Sequence, residues 1–480
     1  MQMPRDIGTF HIIGIGGIGM SAIAEILMAK GYAVQGSDQK ESANVKRLRA
    51  KGVRVFVGHD AVNLVGAKQV VISTAVKDAN PELAAARAKG LRIIRRAEML
   101  AELMRTSQTI SVTGTHGKTS TTSLVAHMFA TAGLDPTVIT GGIINDWNSN
   151  ARLGNGNWMI VEADESDGTF TFLPSQIGVV TNIDPEHLDY YKTVQNMHTA
   201  FERFFKSIPF YGLTVTCIDH PVVREMVQRL ALRQDGRRLL TYGVANEADL
   251  KLTALSQRGH VSIFDVTFSD RVIGGARELK GLEVPTPGQH NVLNALAAIA
   301  IATETGISDD AIRANLATFS GVKRRFQFTG EWNGVAFYDD YAHHPVEVAA
   351  VLQAAKAGAQ GRVFAVLEPH RYSRVQALFN DFSRSLANAD NVIVAPLYSA
   401  GELPIEGVDQ HTLAEGIRAS GHPAVMSIQD PRDLIGVLRQ ETRPGDMVLC
   451  LGAGVSTEWA NGLPGWLAAA APSVRAGGMQ

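Results

Sequence analysis

The chain has 480 residues, room for two to four domains of ordinary size. Hydrophobic residues make up 45% and charged ones 19%, the balance of a well-cored globular protein and not of a disordered one. A formal net charge of −2 excludes a general nucleic-acid footprint, and two distant cysteines, Cys217 and Cys450, exclude a disulfide framework.

Residues Met1 to Phe10 lack the apolar region of a signal peptide, and no apolar run reaches the length of a membrane span. A cytoplasmic location without membrane insertion is therefore expected. No segment specifies an oligomeric state.

A first block, residues 1–106, alternates strand-like and helix-like segments. Phe10 to Ile13 reads as a buried strand. Gly14-Ile15-Gly16-Gly17-Ile18-Gly19 follows, then an amphipathic helix to Lys30. Further strands are expected over Tyr32 to Asp38, Val53 to Phe56 and Gln69 to Ser73. The pattern is that of a parallel, doubly wound sheet. Gly14, Gly16 and Gly19 satisfy G-x-G-x-x-G, and Asp38 lies about 20 residues beyond, as in a dinucleotide site. The same backbone amides suit NAD, a uridine diphosphate sugar, or no ligand beyond tight helix–strand packing.

The second block, 107–325, opens on an apolar strand from Thr109 to Val112. Thr113-Gly114-Thr115-His116-Gly117-Lys118-Thr119-Ser120 comes next, then a helix over Thr119 to Ala132. A strand, a glycine turn, a lysine and a hydroxyl at a helix start make a phosphate cradle, where amides and the helix dipole face the anion. Lys118 would reach the β/γ-phosphates and Thr119 would hold Mg²⁺. Val112 stands where the full pattern has Gly, so the loop is a shortened one.

Downstream, Trp158 to Glu162 is a strand ending in an acid, followed by Ala163-Asp164-Glu165-Ser166-Asp167, a Mg²⁺-site candidate or a solvated acidic turn. Ile177 to Thr181 leads into Asn182-Ile183-Asp184-Pro185-Glu186-His187, where His187 is a metal ligand or a solvated loop residue. Residues 238–285 look β-rich, with alternation in Val261 to Val266. Gly288-Gln289-His290-Asn291 starts an apolar helix running to Ala302. His290, Asn291 and Asn294 could read a purine edge or merely cap that helix.

At the join, Lys323-Arg324-Arg325-Phe326 is either a basic linker or the source of an arginine that closes on a triphosphate. The third block, 326–480, is again α/β. A strand from Val335 to Phe337 ends in Tyr338-Asp339-Asp340-Tyr341-Ala342-His343-His344-Pro345, and Pro345 starts a helix. Adjacent His343 and His344 point apart, which disfavours one metal held by both. Arg362 to Leu367 ends in Glu368-Pro369-His370-Arg371-Tyr372-Ser373-Arg374. Asn391 to Ala395 and Asp446 to Leu451 supply more strands. Polar clusters thus recur at strand C-termini, where open α/β sheets bind ligands. The small-residue tail from Leu467 to Gln480 is expected to be mobile.

In this order, the glycine loops, the acidic run Glu162 to Asp167, Gly288 to Asn291, Asp339 to Pro345 and Glu368 to Arg374 resemble the Mur ligases. The resemblance runs to about Leu463. It implies a Rossmann-like N-terminal domain, a central P-loop ATPase-like domain and a C-terminal Rossmann-like domain. It also implies ATP-dependent joining of L-alanine to the carboxylate of UDP-N-acetylmuramate through an acyl phosphate, in peptidoglycan precursor synthesis. Gly114 to Ser120, with His290, Asn291, Asn294, Arg325 and Asp340, are then the ATP residues. Thr119, Glu162 and His187 are then the ligands of Mg²⁺ or Mn²⁺.

Gly17, Ile18, Gly19, Met20, Ser21 and Asp38 would face the UDP moiety, which displaces NAD. Tyr341, His343, His344, Arg371 and Arg374 would face the muramate and amino acid. The resemblance makes Lys118, Glu162, His187, Arg325 and His344 the expected catalytic set. Ligases adding later residues resemble one another in an Ala-Lys pair whose lysine is carbamylated; here Ala200 is followed by Phe201, which favours the alanine-adding branch. A muropeptide-recycling ligase shares most of these motifs. A nicotinamide dehydrogenase would leave the second glycine loop idle, and a non-catalytic nucleotide scaffold would leave the acids and histidines unexplained.

Overall fold

In the computed structural model, residues 3–469 are described. They form three sheets. The first is wholly parallel, with strands β1 (Thr9–Ile13), β2 (Val34–Asp38), β3 (Arg54–Val57), β4 (Ala67–Ile72) and β5 (Arg92–Arg95) in the order β3-β2-β1-β4-β5. That is the expected doubly wound arrangement, with β5 an addition to the strands read from sequence.

The helix Ile18–Ala29 departs from expectation. It is buried continuously from Met20 to Leu27 and is not amphipathic. It packs against central strands as well as the first sheet, so both of its faces are covered.

The second sheet has ten strands. They are β6 (Gln108–Thr113), β7 (Thr137–Ile144), β8 (Ser149–Arg152), β9 (Trp158–Glu162), β10 (Ile177–Val180), β11 (Leu213–Cys217), β12 (Arg238–Gly243), β13 (Leu250–Arg258), β14 (Val261–Phe268) and β15 (Arg277–Val284). Their order is β15-β14-β13-β12-β11-β10-β6-β9-β7-β8. Strand β6 thus lies inside the sheet, between β10 and β9, with its C-terminal end beside theirs. Burial alternates strictly along β14, as the sequence pattern requires of a strand with one covered face.

The third sheet is β16 (Gln327–Trp332), β17 (Val335–Asp340), β18 (Val363–Leu367), β19 (Asn391–Val394), β20 (Val425–Ser427) and β21 (Met447–Leu451), in the order β16-β17-β21-β18-β19-β20. Only β16 runs antiparallel. Period-two alternation divides its core. Val363, Ala365 and Leu367 join Met447, Leu449 and Leu451 in one apolar cluster. Phe364 and Val366 join Val448 and Cys450 in another, with Trp459 and Leu463. Successive side chains of a strand point to opposite faces, so a run that is apolar throughout needs cover on both sides. Strand β17 extends to Asp340, beyond the Phe337 read from sequence. The last helix, Ser456–Ala469, includes buried Leu467, so 467–469 of the tail expected to be mobile are helical; 470–480 of that tail lies outside the described residues.

Two compact units divide the chain. The first comprises Met1–Leu255, Phe264–Val284 and Leu293–Val322; the second comprises Ser256–Ile263, Pro285–Val292 and Lys323–Gln480. No described helix is long and apolar enough to cross a membrane.

Candidate functional site

In the first unit, the loop after β6 turns through Gly114 and Gly117 into the helix Lys118–Thr131. Gly117 has φ 83°, and a methyl group there would stand 2.6 Å from Asn294 Oδ1. At Gly114 a methyl group would strike Thr181 Oγ1 at 2.1 Å. Both positions therefore require glycine. Val112, where the full pattern has Gly, is wholly buried inside β6, so the turn begins only after Thr113.

Residues after β10 hold this turn. Asn182 Oδ1 accepts the His116 amide at 2.7 Å, Thr181 Oγ1 donates to the His116 carbonyl at 2.6 Å, and the Asp184 amide donates to Thr115 Oγ1 at 2.9 Å. The rings of His116 and His220 lie 3.4 and 3.2 Å from the Asp184 carboxylate. Burial raises that carboxyl's pKa, but hydrogen bonds from the two histidines outweigh it and hold Asp184 below the ordinary range.

Lys118 Nζ donates to the carbonyls of Gly114 and Thr115 at 2.7 and 2.9 Å, and to buried Glu165 at 2.9 Å. Burial pulls the ammonium down, yet Glu165, with Glu162 and Asp164, raises it above its usual value. Lys118 is firmly cationic. One residue on, Thr119 Oγ1 donates to Glu162 Oε1 at 3.0 Å. Glu162 Oε2 accepts from Thr140 Oγ1 at 2.9 Å and from the Gly141 amide at 2.6 Å. Methyl groups at Gly141 and Gly142 would fill the space against Glu162 and Thr119.

His187, in the left-handed region at φ 54°, lies 3.6 Å from Glu165 and 3.7 Å from Glu186. These three groups are spaced to share a cation. Burial lowers the His187 pKa, but the Glu165 hydrogen bond and the two carboxylates raise it overall. Of the expected metal residues, Thr119 and Glu162 meet directly, and His187 joins them through Glu165 and Lys118. Asn294 is buried at Gly117, its Oδ1 accepting from Thr121 Oγ1 at 3.2 Å; Ser120 is half-buried on the same helix. Phe201 is fully buried, with its ring 5.1 Å from Phe170. The position where an Ala-Lys pair would carry a carbamate is core here.

At the first glycine turn, the Gly16 amide donates to Asp38 Oδ2 at 2.9 Å, so Asp38 shapes the loop itself. Gly17 and Ile18 are exposed and Gly19 half-buried. Met20 and Ser21 turn into the core, Ser21 Oγ donating to the Ile18 carbonyl at 2.9 Å. Only backbone from these two residues can face a ligand.

The second unit carries its own polar cluster. Asp340, at the end of β17, accepts the amides of Phe326 and Ala342, each at 2.7 Å. Burial pushes its carboxyl up to about 6, against the pull of Arg325. Arg324 and Arg325 lie 4.8 and 5.3 Å over the Tyr341 ring. Arg324 and Phe326 have φ 62° and 47°, a bend of two non-glycine residues that aims Arg325.

His290 is depressed to about 4 by burial and then by Arg325, so it is neutral at pH 7. Asn291 Nδ2 donates to the Pro287 carbonyl at 2.8 Å, a helix-start contact. His343 Nδ1 lies 2.9 Å from the Tyr341 carbonyl. Buried His344 caps the helix Pro345–Gly358, its Nδ1 accepting the Val346 amide at 3.4 Å, which leaves that nitrogen unsuited to serve as a base.

Arg371 and Arg374 stand at the start of the helix Tyr372–Ala377. Burial, then His343, Arg374 and Arg371, push His370 down to about 4. Its ring stacks on Tyr398 at 5.4 Å. This cationic patch suits an anionic ligand. Glu368 accepts three amides, of Gly454, Val455 and Ser456, at 2.7–3.1 Å. Glu165, Asn182, Asp184, Glu368 and His370 were visible as motif residues without a role. Tyr398 has no sequence signal.

Three family models match in succession: "Mur ligase family, catalytic domain" over residues 9–108, "Mur ligase middle domain" over 112–302, and "Mur ligase, glutamate ligase domain" over 324–454. The chain is 55% identical over 469 residues to the UDP-N-acetylmuramate–L-alanine ligase of Rhodopseudomonas palustris (strain TIE-1), covering 98% of this chain and 100% of that one. It is 54% identical over 473 residues to the enzyme of the same name from Xanthobacter autotrophicus, again covering 98% and 100%. Among solved structures, UDP-N-acetylmuramate–alanine ligase from Thermotoga maritima is similar at a TM-score of 0.79 and 28% identity, over 95% of this chain and 98% of that one.

Proposed function

The chain belongs to the Mur ligase family, and we propose that it joins L-alanine to the carboxylate of UDP-N-acetylmuramate, converting ATP to ADP and phosphate. The place of this reaction is peptidoglycan precursor synthesis in the cytoplasm. The observation that carries the reading is the convergence of Lys118, Thr119, Glu162 and Glu165 behind a glycine turn. The full-length likeness to L-alanine ligases and the buried Phe201 support the choice of amine.

A carboxylate is a poor acceptor for an amine at neutral pH. Transfer of the γ-phosphoryl group of ATP to a carboxylate oxygen gives an acyl phosphate, whose phosphate can leave. This step is mostly positioning and charge neutralisation. Amides of the Gly114–Ser120 turn and the cationic Lys118 face the phosphates. The oxygens of Thr119 and Glu162, with the glycine-lined space beside them, fit a hard divalent cation, Mg²⁺ or Mn²⁺, with His187 beside Glu165 as a further ligand. When bound, that cation would offset phosphate charge.

His290, Asn291, Asn294, Arg325 and Asp340 serve the nucleotide. Tyr341, His343, His344, Arg371 and Arg374 serve the muramate and the amino acid. The turn Gly17 to Ser21 and Asp38 serve the uridine diphosphate. The deprotonated amine of L-alanine attacks the acyl carbon, and the tetrahedral intermediate expels phosphate.

The test is mass spectrometry of the product from ATP, Mg²⁺, UDP-N-acetylmuramate and L-alanine. One alanyl residue added to the nucleotide sugar is expected; unchanged nucleotide sugar after ADP release would refute the assignment.

A further inference from the structure

Arg96 opens the helix Arg96–Met104, directly after β5. Its side chain is only 27% exposed, with Nη2 3.3 Å from Asp164 and 3.6 Å from Asp167. Both acids lie in the run that follows β9. On the other side of Arg96 is the first glycine turn. A methyl group at Gly19 would stand 3.3 Å from Nη1, so the guanidinium lies close against the turn. Buried Asn150 fixes the same turn from the central sheet, Nδ2 donating to the Ile18 carbonyl at 2.7 Å and Oδ1 accepting from Arg47 at 3.1 Å. One arginine therefore lies between the turn that carries Gly17 to Gly19 and two carboxylates.

We propose that Arg96 is a diphosphate-binding residue that exchanges partners: it pairs with Asp164 and Asp167, and turns to the diphosphate when the nucleotide sugar occupies the glycine turn. This rests on the reading of that turn as the uridine diphosphate cradle. The guanidinium fork matches phosphate oxygens bidentately, and a diphosphate presents more charge and more acceptors than either carboxylate. The exchange has a second consequence. Asp164 also acts on Lys118, and Glu165 is ion-paired to it. Release of Asp164 from Arg96 thus alters the charge around the ATP loop, and linkage makes that effect reciprocal.

Calorimetric titration of UDP and UDP-N-acetylmuramate tests this on the full chain and on R96A, R96K, D164N and R96A/D164N. R96A is expected to weaken both ligands by about tenfold or more, and R96K by less. D164N removes a competitor for Arg96 and is expected to tighten both ligands a few-fold, with the gain lost in R96A/D164N. A merely structural Arg96 would give no tightening in D164N. Wild-type affinity in R96A, or a D164N gain that persists without Arg96, would overturn the proposal alone. Failure of the wild-type protein to bind either ligand would overturn the reading of the glycine turn and the proposal with it. Should R96A fail to fold, R96K and D164N decide the matter from opposite sides of the pair.

Discussion

Replacing Lys118 by alanine removes two things at once, and a second substitution separates them. The ammonium holds two loop carbonyls and the Glu165 carboxylate, all within 2.9 Å. Glu165 is 2% exposed, and the His187 ring is 3.6 Å away. Truncation leaves a buried carboxylate short of its partner, worth about 3–5 kcal/mol of stability. It also removes a charge from the transferring phosphoryl group, worth about 10²–10³ in kcat by analogy with loss of one oxyanion donor.

Changing Glu165 to glutamine in the same chain abolishes the orphaned charge but does nothing for the phosphate. Urea unfolding and coupled ADP release are to be measured on K118A, E165Q and K118A/E165Q. K118A is expected to lose both stability and turnover, and the double variant to regain most of the stability and none of the turnover. Turnover that returns with stability would refute the reasoning, since Lys118 would then serve only to neutralise Glu165.

E162Q keeps the hydrogen bond from Thr119 but loses the anionic ligand, so the Mg²⁺ concentration for half-maximal turnover is expected to rise about tenfold or more; an unchanged Mg²⁺ dependence would place the cation elsewhere. F201A empties a fully buried site beside Phe170 and is expected to cost about 3–5 kcal/mol in urea unfolding, whereas a cost below about 1 kcal/mol would show that the site is not core.

Glu82, wholly buried, accepts from Ser37 at 2.5 Å and Asn63 at 2.6 Å, and lies 3.3 Å from His11 and from His59. Burial raises its pKa, but these partners, His11 first, bring it down from 4.5 to about 2. A depressed carboxyl stabilises the fold above its unfolded value and loses that contribution as pH falls through the folded one. The wild-type advantage over E82Q, of the order of 3 kcal/mol, should therefore shrink between about pH 4.5 and pH 2. A gap that stays constant across that window would contradict the assignment.

Much of this architecture was legible because it depends on local rules. The turn and the helix after it were read from Gly114, Gly117 and Lys118, and both glycines stand where the backbone admits no side chain. The third sheet was read from apolar runs that burial on both faces demands. What escaped depends on long-range packing. The helix Ile18–Ala29 looked amphipathic because nothing local announces that strands from a second sheet cover its outer face. Met20 and Ser21 followed the glycine turn in sequence, yet helical geometry turns their side chains inward. In Glu162 to Asp167 the acids are alike on paper; only the fold decides that Glu162 meets Thr119, Glu165 meets Lys118, and Asp164 and Asp167 meet Arg96. That His344 Nδ1 caps the helix begun by Pro345 likewise follows from the fold and not from the motif.

The central claim is the amine that the acyl phosphate receives. ADP release with ATP, Mg²⁺ and UDP-N-acetylmuramate, comparing L-alanine with L-Ala-γ-D-Glu-diaminopimelate, tests it most directly. Turnover with free L-alanine is the expected result; turnover with the tripeptide alone would contradict it and assign the same fold and phosphate chemistry to cell-wall recycling.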